Sequence, residues 1–172
     1  MFRWYNAAGV CYAHLNGVDL QELAYSREKF RNARWFERGW TLQELLAPMD
    51  LIFVDQNWKK LGTRSDLIDD VAAACHMSVD NVTNYHSYSL AAKLSWASHR
   101  KTTLEEDKAY CLLGLFGISM SLCYGKGQLA FRRLQIELIK TYDDPSIFAW
   151  SPPPDKSMCI KPSLVCFEHS RS

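Results

Sequence analysis

One carboxylate, Glu44, is the residue best placed to do chemistry, because two tryptophans, Trp35 and Trp40, precede it closely. A single carboxylate can stabilise positive charge that develops in a substrate, and an indole can stack against an aromatic ring. Glu44 also lies three residues after Thr41, in the expected first turn of a short helix, where the helix dipole favours negative charge. Glu44 is therefore a candidate catalytic carboxylate, and the two indoles are candidate ligand-binding faces.

The same spacing also has a purely structural explanation. Thr41 and Glu44 have the separation of a capping box, in which the threonine oxygen accepts from the Glu44 amide and the Glu44 side chain reaches back to the Thr41 amide. Pro48 then ends the helix, because its ring cannot extend the hydrogen-bond ladder. Capping alone would explain Glu44, and core packing would explain all four nearby or downstream indoles, at Trp35, Trp40, Trp58 and Trp96.

Composition limits the classes of function. With 172 residues, of which 48% are hydrophobic and 13% aromatic, the chain can bury a substantial core. A formal charge of +1, without a basic stripe, argues against nucleic-acid binding. No apolar run approaches the roughly 20 residues that span a bilayer, and the first residues lack the apolar core of a secretory signal. We expect a cytoplasmic protein without a membrane segment.

The cysteines and acidic residues do not form a metal pattern. The six cysteines stand singly among apolar residues, which is typical of reduced thiols. The tightest group is Cys159, Cys166 and His169, without a CxxC pair, so we predict no metal site. The acidic run at 105–107 is explained by a first helical turn, and the loop at 124–127 lacks the pattern of a phosphate-binding loop.

Hydrophobic periodicity predicts a mixed α/β fold with a helical C-terminal half. A helix end at 1–8 precedes a strand at 10–15, and residues 51–61 predict a short β-hairpin. Ser65 and Ser89 are expected to cap helices, and the region of Thr103 offers a second capping box. The remaining predictions are a solvent-facing row of Asp66, Asp69 and Asp70, an amphipathic helix through Phe131, Leu134 and Leu138, and a strand at 146–150.

Several blocks of the sequence resemble a known family. They are RWF at 34–36, RGWTLQELLAP at 38–48, DQNW at 55–58, LGT at 61–63, LSWA at 94–97, EDKAYCLLG at 106–114, YGKG at 124–127 and DDPSIFAW at 143–150. In this order they resemble the fungal heterokaryon-incompatibility (HET) domain and the segment that follows it. Family members usually carry further strands before a stretch like residues 1–5.

The resemblance implies a division of the chain into three parts. Residues 1–62 would be the C-terminal part of a HET domain, whose sheet is incomplete here and flanked by helices. Residues 63–150 would be a helical extension packed on it, and residues 151–172 a proline-rich linker with an unassigned tail. The family further implies an effector module of nonself recognition that promotes programmed cell death, usually within a larger receptor.

A second, shorter resemblance suggests a reaction. WTLQEL at 40–45 is similar to a segment of Toll/interleukin-1 receptor (TIR) domains that holds a tryptophan, a cysteine and a glutamate required for cleaving NAD. Thr41 replaces that cysteine, and Arg38 stands where those domains often have serine. The likeness implies that NAD is a possible substrate, that Glu44 is catalytic and that Trp35 or Trp40 stacks on a base.

Two classes of function therefore remain open at the level of sequence. The first is an effector that cleaves NAD. It would be active in an intact domain, whereas the present 172 residues alone would be inactive. The second is a non-enzymatic module that signals by self-association or by binding a larger receptor. No cofactor is expected in either case, and an inactive truncated fragment is the remaining alternative.

Overall fold

The fold is described from a computed structural model, which covers residues 1–148. Within that range, two 3-10 helices, at Tyr85–Ser87 and Pro145–Phe148, accompany the strands and α-helices. In chain order these are α1 (Phe2–Ala7), β1 (Cys11–His14), α2 (Leu20–Leu23), α3 (Glu28–Arg31), α4 (Arg34–Glu37), α5 (Thr41–Leu46), β2 (Leu51–Val54), β3 (Lys60–Thr63), α6 (Ile68–Ala74), α7 (Val79–Thr83), α8 (Leu90–Ser98), α9 (Asp107–Tyr110) and α10 (Leu129–Thr141).

The three strands form one mixed sheet in the order β1-β2-β3. β1 runs parallel to β2, with Cys11 opposite Leu51, and the connection between them carries α2 to α5. β2 and β3 form the predicted antiparallel hairpin, with an irregularity between Phe53 and Val54. The mixed α/β class and the hairpin are thus confirmed. Among residues 1–148, no strand pairs with the outer edge of β1.

An aromatic cluster anchors the connection between β1 and β2 to the sheet. Phe53 of β2 is fully buried, and its ring centroid lies 5.2 Å from that of Phe30 and 5.8 Å from that of Phe36. Trp35 packs edge-on against the same ring at 5.7 Å. Offset and edge-to-face pairs of this kind add to the stabilisation from area burial. The cluster fixes α3 and α4, and therefore the segment that contains both candidate indoles.

The helical half buries one stripe of each longer helix. In α10 the buried residues are Ala130, Leu134 and Leu138, spaced by four, while Arg132 and Glu137 point away from the core. Phe131, which the sequence placed on the buried face, is only half-buried. At α8 the expected cap is confirmed, because Ser89 Oγ accepts from the Ala92 amide at 3.4 Å.

Two other predicted caps are wrong. α6 begins at Ile68 rather than after Ser65, and Asp66 instead exchanges hydrogen bonds with Thr63, whose amide donates to Asp66 Oδ2 at 2.8 Å. No capping box forms near Thr103, since α9 begins at Asp107 without a side-chain cap. In both cases the helix begins further along the chain than the spacing predicted, so the expected capping residue does not stand at the N-cap.

Three further expectations need correction. Asp70 does not face solvent but is buried, with Oδ1 accepting from Arg31 Nε at 2.7 Å and Arg27 Nε at 3.8 Å from Oδ2. Trp58 is 70% exposed in a turn with φ of 63°, where its ring lies against His14 instead of in the core. Residues 145–148 form a 3-10 helix rather than the start of a strand, and residues 149–172 lie outside the described part.

Candidate functional site

The segment that carries Trp40 and Glu44 is fixed by the hydroxyl of Thr41. This buried hydroxyl donates to the carbonyls of Trp35 and Arg38, over 2.5 Å and 2.8 Å. The capping box predicted between Thr41 and Glu44 is therefore wrong. Trp40 already has helical dihedrals and is the N-cap, so Thr41 lies inside the first turn of α5 instead of ahead of it. Its hydroxyl consequently bonds backward to the preceding turn.

Glu44 is half-buried and faces α1. The hydroxyl of Tyr5 donates to Glu44 Oε1 at 3.2 Å. Burial, together with the negative charge of Glu44 and this hydrogen bond, raises the pKa of Tyr5 to about 12. A second bond between the same helices, from Asn6 Nδ2 to the Ala47 carbonyl, keeps α1 against α5. The carboxylate of Glu44 is thus held by a tyrosine from another helix, not by its own backbone.

The two indoles line a cleft of about 730 Å³ between the α4–α5 segment and the chain before α9. That volume lies in the usual range for small-molecule sites. The lining residues are His14, Asn16, Arg34, Trp35, Glu37, Arg38, Gly39, Trp40, Lys101, Thr102, Thr103 and Asp107. Glu44 is not one of them. The structure therefore brings Trp35 and Trp40 together at one cleft, whereas Glu44 contacts Tyr5 and does not line that cleft.

Positive charge predominates at this cleft. Lys101 Nζ pairs with Glu37 Oε2 at 3.0 Å, and both groups are exposed. Within residues 1–148, none of the ion pairs includes Arg34 or Arg38, so their guanidinium groups remain available to an anion. Arginine presents a planar fork of donors that suits carboxylate and phosphate groups. The cleft thus combines two indole faces with two arginines.

Backbone bonds hold the two walls of the cleft together. The amide of Gly39 donates to the Lys101 carbonyl at 2.8 Å, and the amide of Lys101 donates to the Glu37 carbonyl at 2.6 Å. A Cβ at position 39 would lie 2.5 Å from Thr102 Cγ2 and 3.1 Å from Cys111 Sγ. Glycine is therefore required here by the close approach of the chain around Thr102.

Local sequence patterns did not indicate most of the charged residues that line the cleft. Arg34 and Arg38 are four residues apart on either side of Trp35, and this spacing was a signal that could have indicated a shared basic face. Lys101 and Thr102 join the cleft only through the long-range bridge to residues 37–39. No local pattern links such distant segments of the chain.

Another carboxylate has a structural role that the sequence did not indicate. Glu106 is buried, and its Oε1 accepts from the amides of Lys126 and Gly127 at 2.9 Å and 2.8 Å. These backbone hydrogen bonds, led by that from Gly127, keep the pKa of Glu106 below its ordinary value although burial opposes them. The loop at 124–127 therefore directs these two amides to an internal carboxylate.

No group of three or more metal-ligating side chains occurs within residues 1–148, and the group of Cys159, Cys166 and His169 lies outside that range. Cys11, Cys75, Cys111 and Cys123 are free thiols. None of the helices in the described range is both long enough and apolar enough to span a membrane.

Comparison with known proteins gives one informative similarity. Over 149 residues the chain is 34% identical to the vegetative incompatibility protein HET-E-1 of Podospora anserina. The match covers 81% of this chain but only 11% of that relative, so the chain spans about a tenth of the relative's length. No protein-family model and no solved structure matches the chain.

Proposed function

We propose that this chain acts in fungal nonself recognition as one segment of a vegetative-incompatibility protein, and that it promotes cell death. The observation that carries the proposal is the 34% identity to the Podospora incompatibility protein over most of this chain. The sequence blocks that resemble the HET domain point in the same direction. Because the matched part is about a tenth of that relative, the role proposed here is that of a segment and its immediate site.

The finer proposal is that an intact domain cleaves NAD at the cleft. Trp35 and Trp40 offer faces for the adenine or nicotinamide ring, and the guanidinium groups of Arg34 and Arg38 suit the pyrophosphate. The bond between the nicotinamide nitrogen and ribose C1′ breaks, and its electron pair neutralises the pyridinium. Water then adds to the oxocarbenium ion and loses a proton. A carboxylate near C1′ stabilises the positive charge.

Glu44 is the proposed source of that carboxylate, and its position sets a condition on the reaction. The side chain is held by Tyr5 and does not line the cleft, so it must leave the Tyr5 hydroxyl and turn toward the ligand. Movement of α1 would release the Glu44 side chain from Tyr5, and α1 contributes none of its residues to the buried core. We expect little or no NAD turnover from residues 1–172 alone.

The experiment compares nicotinamide release by a longer incompatibility protein containing this chain with release by its Glu44→Gln variant. Glutamine keeps the shape of the side chain and can still accept from Tyr5, so folding should survive. We expect release to fall at least about a hundredfold. Glu22→Gln, at an exposed carboxylate that pairs with Lys29 and does not line the cleft, is the matched control. Equal release by the wild type and Glu44→Gln would remove Glu44 from the mechanism.

A second candidate function is self-association without turnover, and one observation favours it. The outer edge of β1 pairs with no strand within residues 1–148, and Tyr12 on that strand is 61% exposed. Unpaired strand edges promote association between chains. Size-exclusion chromatography with light scattering would detect dimers or larger species, and Tyr12→Lys should reduce them. A monomer at all concentrations tested would argue against this candidate.

A further inference from the structure

His14 is a residue of the cleft with a polar atom that the protein does not satisfy. It is the last residue of β1 and is one of the residues that line the cleft. Its Nε2 is buried, and no side chain or backbone group within residues 1–148 forms a hydrogen bond with it. Native proteins satisfy nearly all of their buried polar atoms. An unsatisfied atom on a residue that lines a cleft therefore indicates a partner from outside the chain.

The position of His14 in the sheet is one where ligands commonly bind. His14 lies opposite Val54 at the carboxyl ends of the parallel strands β1 and β2, and the Leu15 amide donates to the Val54 carbonyl at 2.9 Å. In open sheets, ligands bind in the crevice outside the carboxyl ends of parallel strands. His14 and Asn16 both line the cleft, so the cleft reaches this end of the parallel pair.

The indole of Trp58 lies over the imidazole of His14. The ring centroids are 4.8 Å apart and the planes are inclined by 33°. Because Nε2 is shielded from solvent, a ligand atom reaches it only when a neighbouring group shifts. Trp58 is 70% exposed, and the backbone of its turn is held by Asp55, whose Oδ1 accepts from the amides of Asn57 and Lys59. The indole can therefore rotate away from the imidazole while the turn stays folded.

The chemistry of Nε2 favours one part of a nucleotide. At the cleft, the base has two indole faces and the diphosphate has two guanidinium groups, from Trp35, Trp40, Arg34 and Arg38. The sugar between base and diphosphate is the part still without a partner. Nε2 of a neutral imidazole either donates or accepts, according to the tautomer. A sugar hydroxyl can both donate and accept, so it satisfies Nε2 in either tautomer, whereas an ionised phosphate oxygen only accepts.

We propose that His14 is a ligand-binding residue of the cleft, and that its Nε2 forms a hydrogen bond with a ribose hydroxyl of a nucleoside diphosphate after the Trp58 indole has rotated away. This inference rests on the nucleotide cleft of the proposed function. It adds the residue that makes the cleft prefer ribose to deoxygenated sugars. It requires neither Glu44 nor cleavage of a bond, so binding can be tested separately from turnover.

The binding test uses ADP and its 2′,3′-dideoxy analogue with the 172-residue chain. By isothermal titration calorimetry, the wild type should bind ADP at least about fivefold more tightly than the analogue, because one ordinary hydrogen bond is lost. In His14→Phe the two affinities should agree within about twofold. His86→Phe is the matched control and should keep the wild-type preference, because His86 also lies against an aromatic ring, that of Tyr85, but does not line the cleft.

A spectroscopic test on the wild type does not depend on the folding of a variant. Saturating ADP should shift the nitrogen-15 resonance of His14 Nε2 and the indole N–H resonance of Trp58. The dideoxy analogue should shift the Nε2 resonance much less. The indole N–H resonance of Trp4 should stay unchanged, because Trp4 is exposed on α1 and does not line the cleft. An Nε2 resonance that ADP leaves unchanged would overturn the proposal.

The remaining outcomes distinguish this inference from NAD cleavage. Equal affinity of the wild type for ADP and its analogue, or an undiminished preference in His14→Phe, would overturn the role of His14 and leave NAD cleavage standing. Absence of ADP binding by the wild type would also overturn it, and nicotinamide release by the longer protein would still decide NAD cleavage. A preference that depends on His14, without nicotinamide release, would support the inference and overturn cleavage.

Discussion

The guanidinium of Arg100 donates a hydrogen bond to the hydroxyl of Thr41 over 3.0 Å, and both residues are buried. Thr41 in turn donates to two carbonyls of the segment before α5. This chain of bonds joins residues that are 59 positions apart and fixes the turn between the two indoles of the cleft. The geometry of the candidate site therefore depends on a polar contact buried behind it.

Replacing Thr41 by valine tests that contact. Valine has the same shape but leaves one Arg100 donor without its hydroxyl acceptor and removes the hydroxyl's bonds to the Trp35 and Arg38 carbonyls, so we expect a loss of about 1–3 kcal/mol in the free energy of unfolding. Thr83→Val is the control, because Thr83 is exposed and bonds only within its own helix. Urea unfolding, monitored by circular dichroism, gives the free energy of unfolding of both variants. Similar losses in the two variants would contradict a special role for Thr41.

Gly39→Ala should be destabilising because the new methyl group would meet Thr102 and Cys111. Overpacking of this kind costs about 1–3 kcal/mol, and here it would also spread the walls of the cleft. At Gly9 the corresponding methyl group meets no atom within 4 Å, so Gly9→Ala is a matched control that should be neutral or slightly stabilising. Thermal melting of both variants measures the effect. An unchanged Tm for Gly39→Ala would show that Thr102 can move away from the new methyl group.

Arg31 and Asp70, a pair in which only the carboxylate is buried, should couple more strongly than a fully exposed pair in the same region. A double-mutant cycle with Arg31→Met and Asp70→Asn is expected to give about 1 kcal/mol. In the pair of Lys29 and Glu22 both side chains are about half exposed or more. Their coupling free energy should be a few tenths of a kcal/mol at most. Chemical denaturation of the four species in each cycle measures the coupling. Equal coupling in the two cycles would mean that burial of Asp70 adds nothing.

Stability should fall in acid partly through Asp55. This buried carboxylate accepts from the amides of Lys59, Leu20 and Asn57. Although burial raises its pKa, these hydrogen bonds together keep the pKa below the ordinary value. The pKa of Asp55 is therefore lower in the folded state than in the unfolded state. Its contribution to folding stability is complete above the unfolded pKa of about 3.9 and is lost as pH falls through the folded pKa.

The measurement for Asp55 is the midpoint of urea unfolding between about pH 2 and pH 7 in wild type and Asp55→Asn. The wild type should lose more stability than the variant as pH falls below about 4. Parallel curves for the two proteins would show that other carboxylates account for the acid sensitivity, with Glu106 as the first alternative.

Ligand binding at the cleft can be measured without turnover. ADP-ribose contains both a base and a pyrophosphate, so it should quench the fluorescence of Trp35 and Trp40 if it binds there. Replacing Arg34 and Arg38 together by Gln should weaken binding at least tenfold, because charge-assisted bonds to phosphate are lost. Arg132→Gln, which removes an exposed arginine on α10, should leave the affinity unchanged. Equal affinity of all three proteins would place the ligand elsewhere.

Local sequence patterns predicted several elements correctly for physical reasons. Alternation and turn residues indicated the hairpin of β2 and β3, and the spacing of Leu134 and Leu138 indicated the buried face of α10. Ser89 capped α8 as expected, and its hydroxyl has no other hydrogen-bond partner within residues 1–148. Thr41 does not cap α5 as predicted, because its hydroxyl bonds to two carbonyls of the preceding turn.

By itself, therefore, the sequence determined the mixed α/β class, the hairpin, the helical second half and the pairing of two indoles near one glutamate. These features depend on periodicity and on neighbours within a few residues. Only the tertiary structure decided that Trp35 and Trp40 share a cleft with Lys101, that Glu44 binds Tyr5 and that Arg100 is buried beside a small cavity. Each of these contacts joins segments far apart in the chain, and the packing of the whole core, rather than any local preference, brings them together.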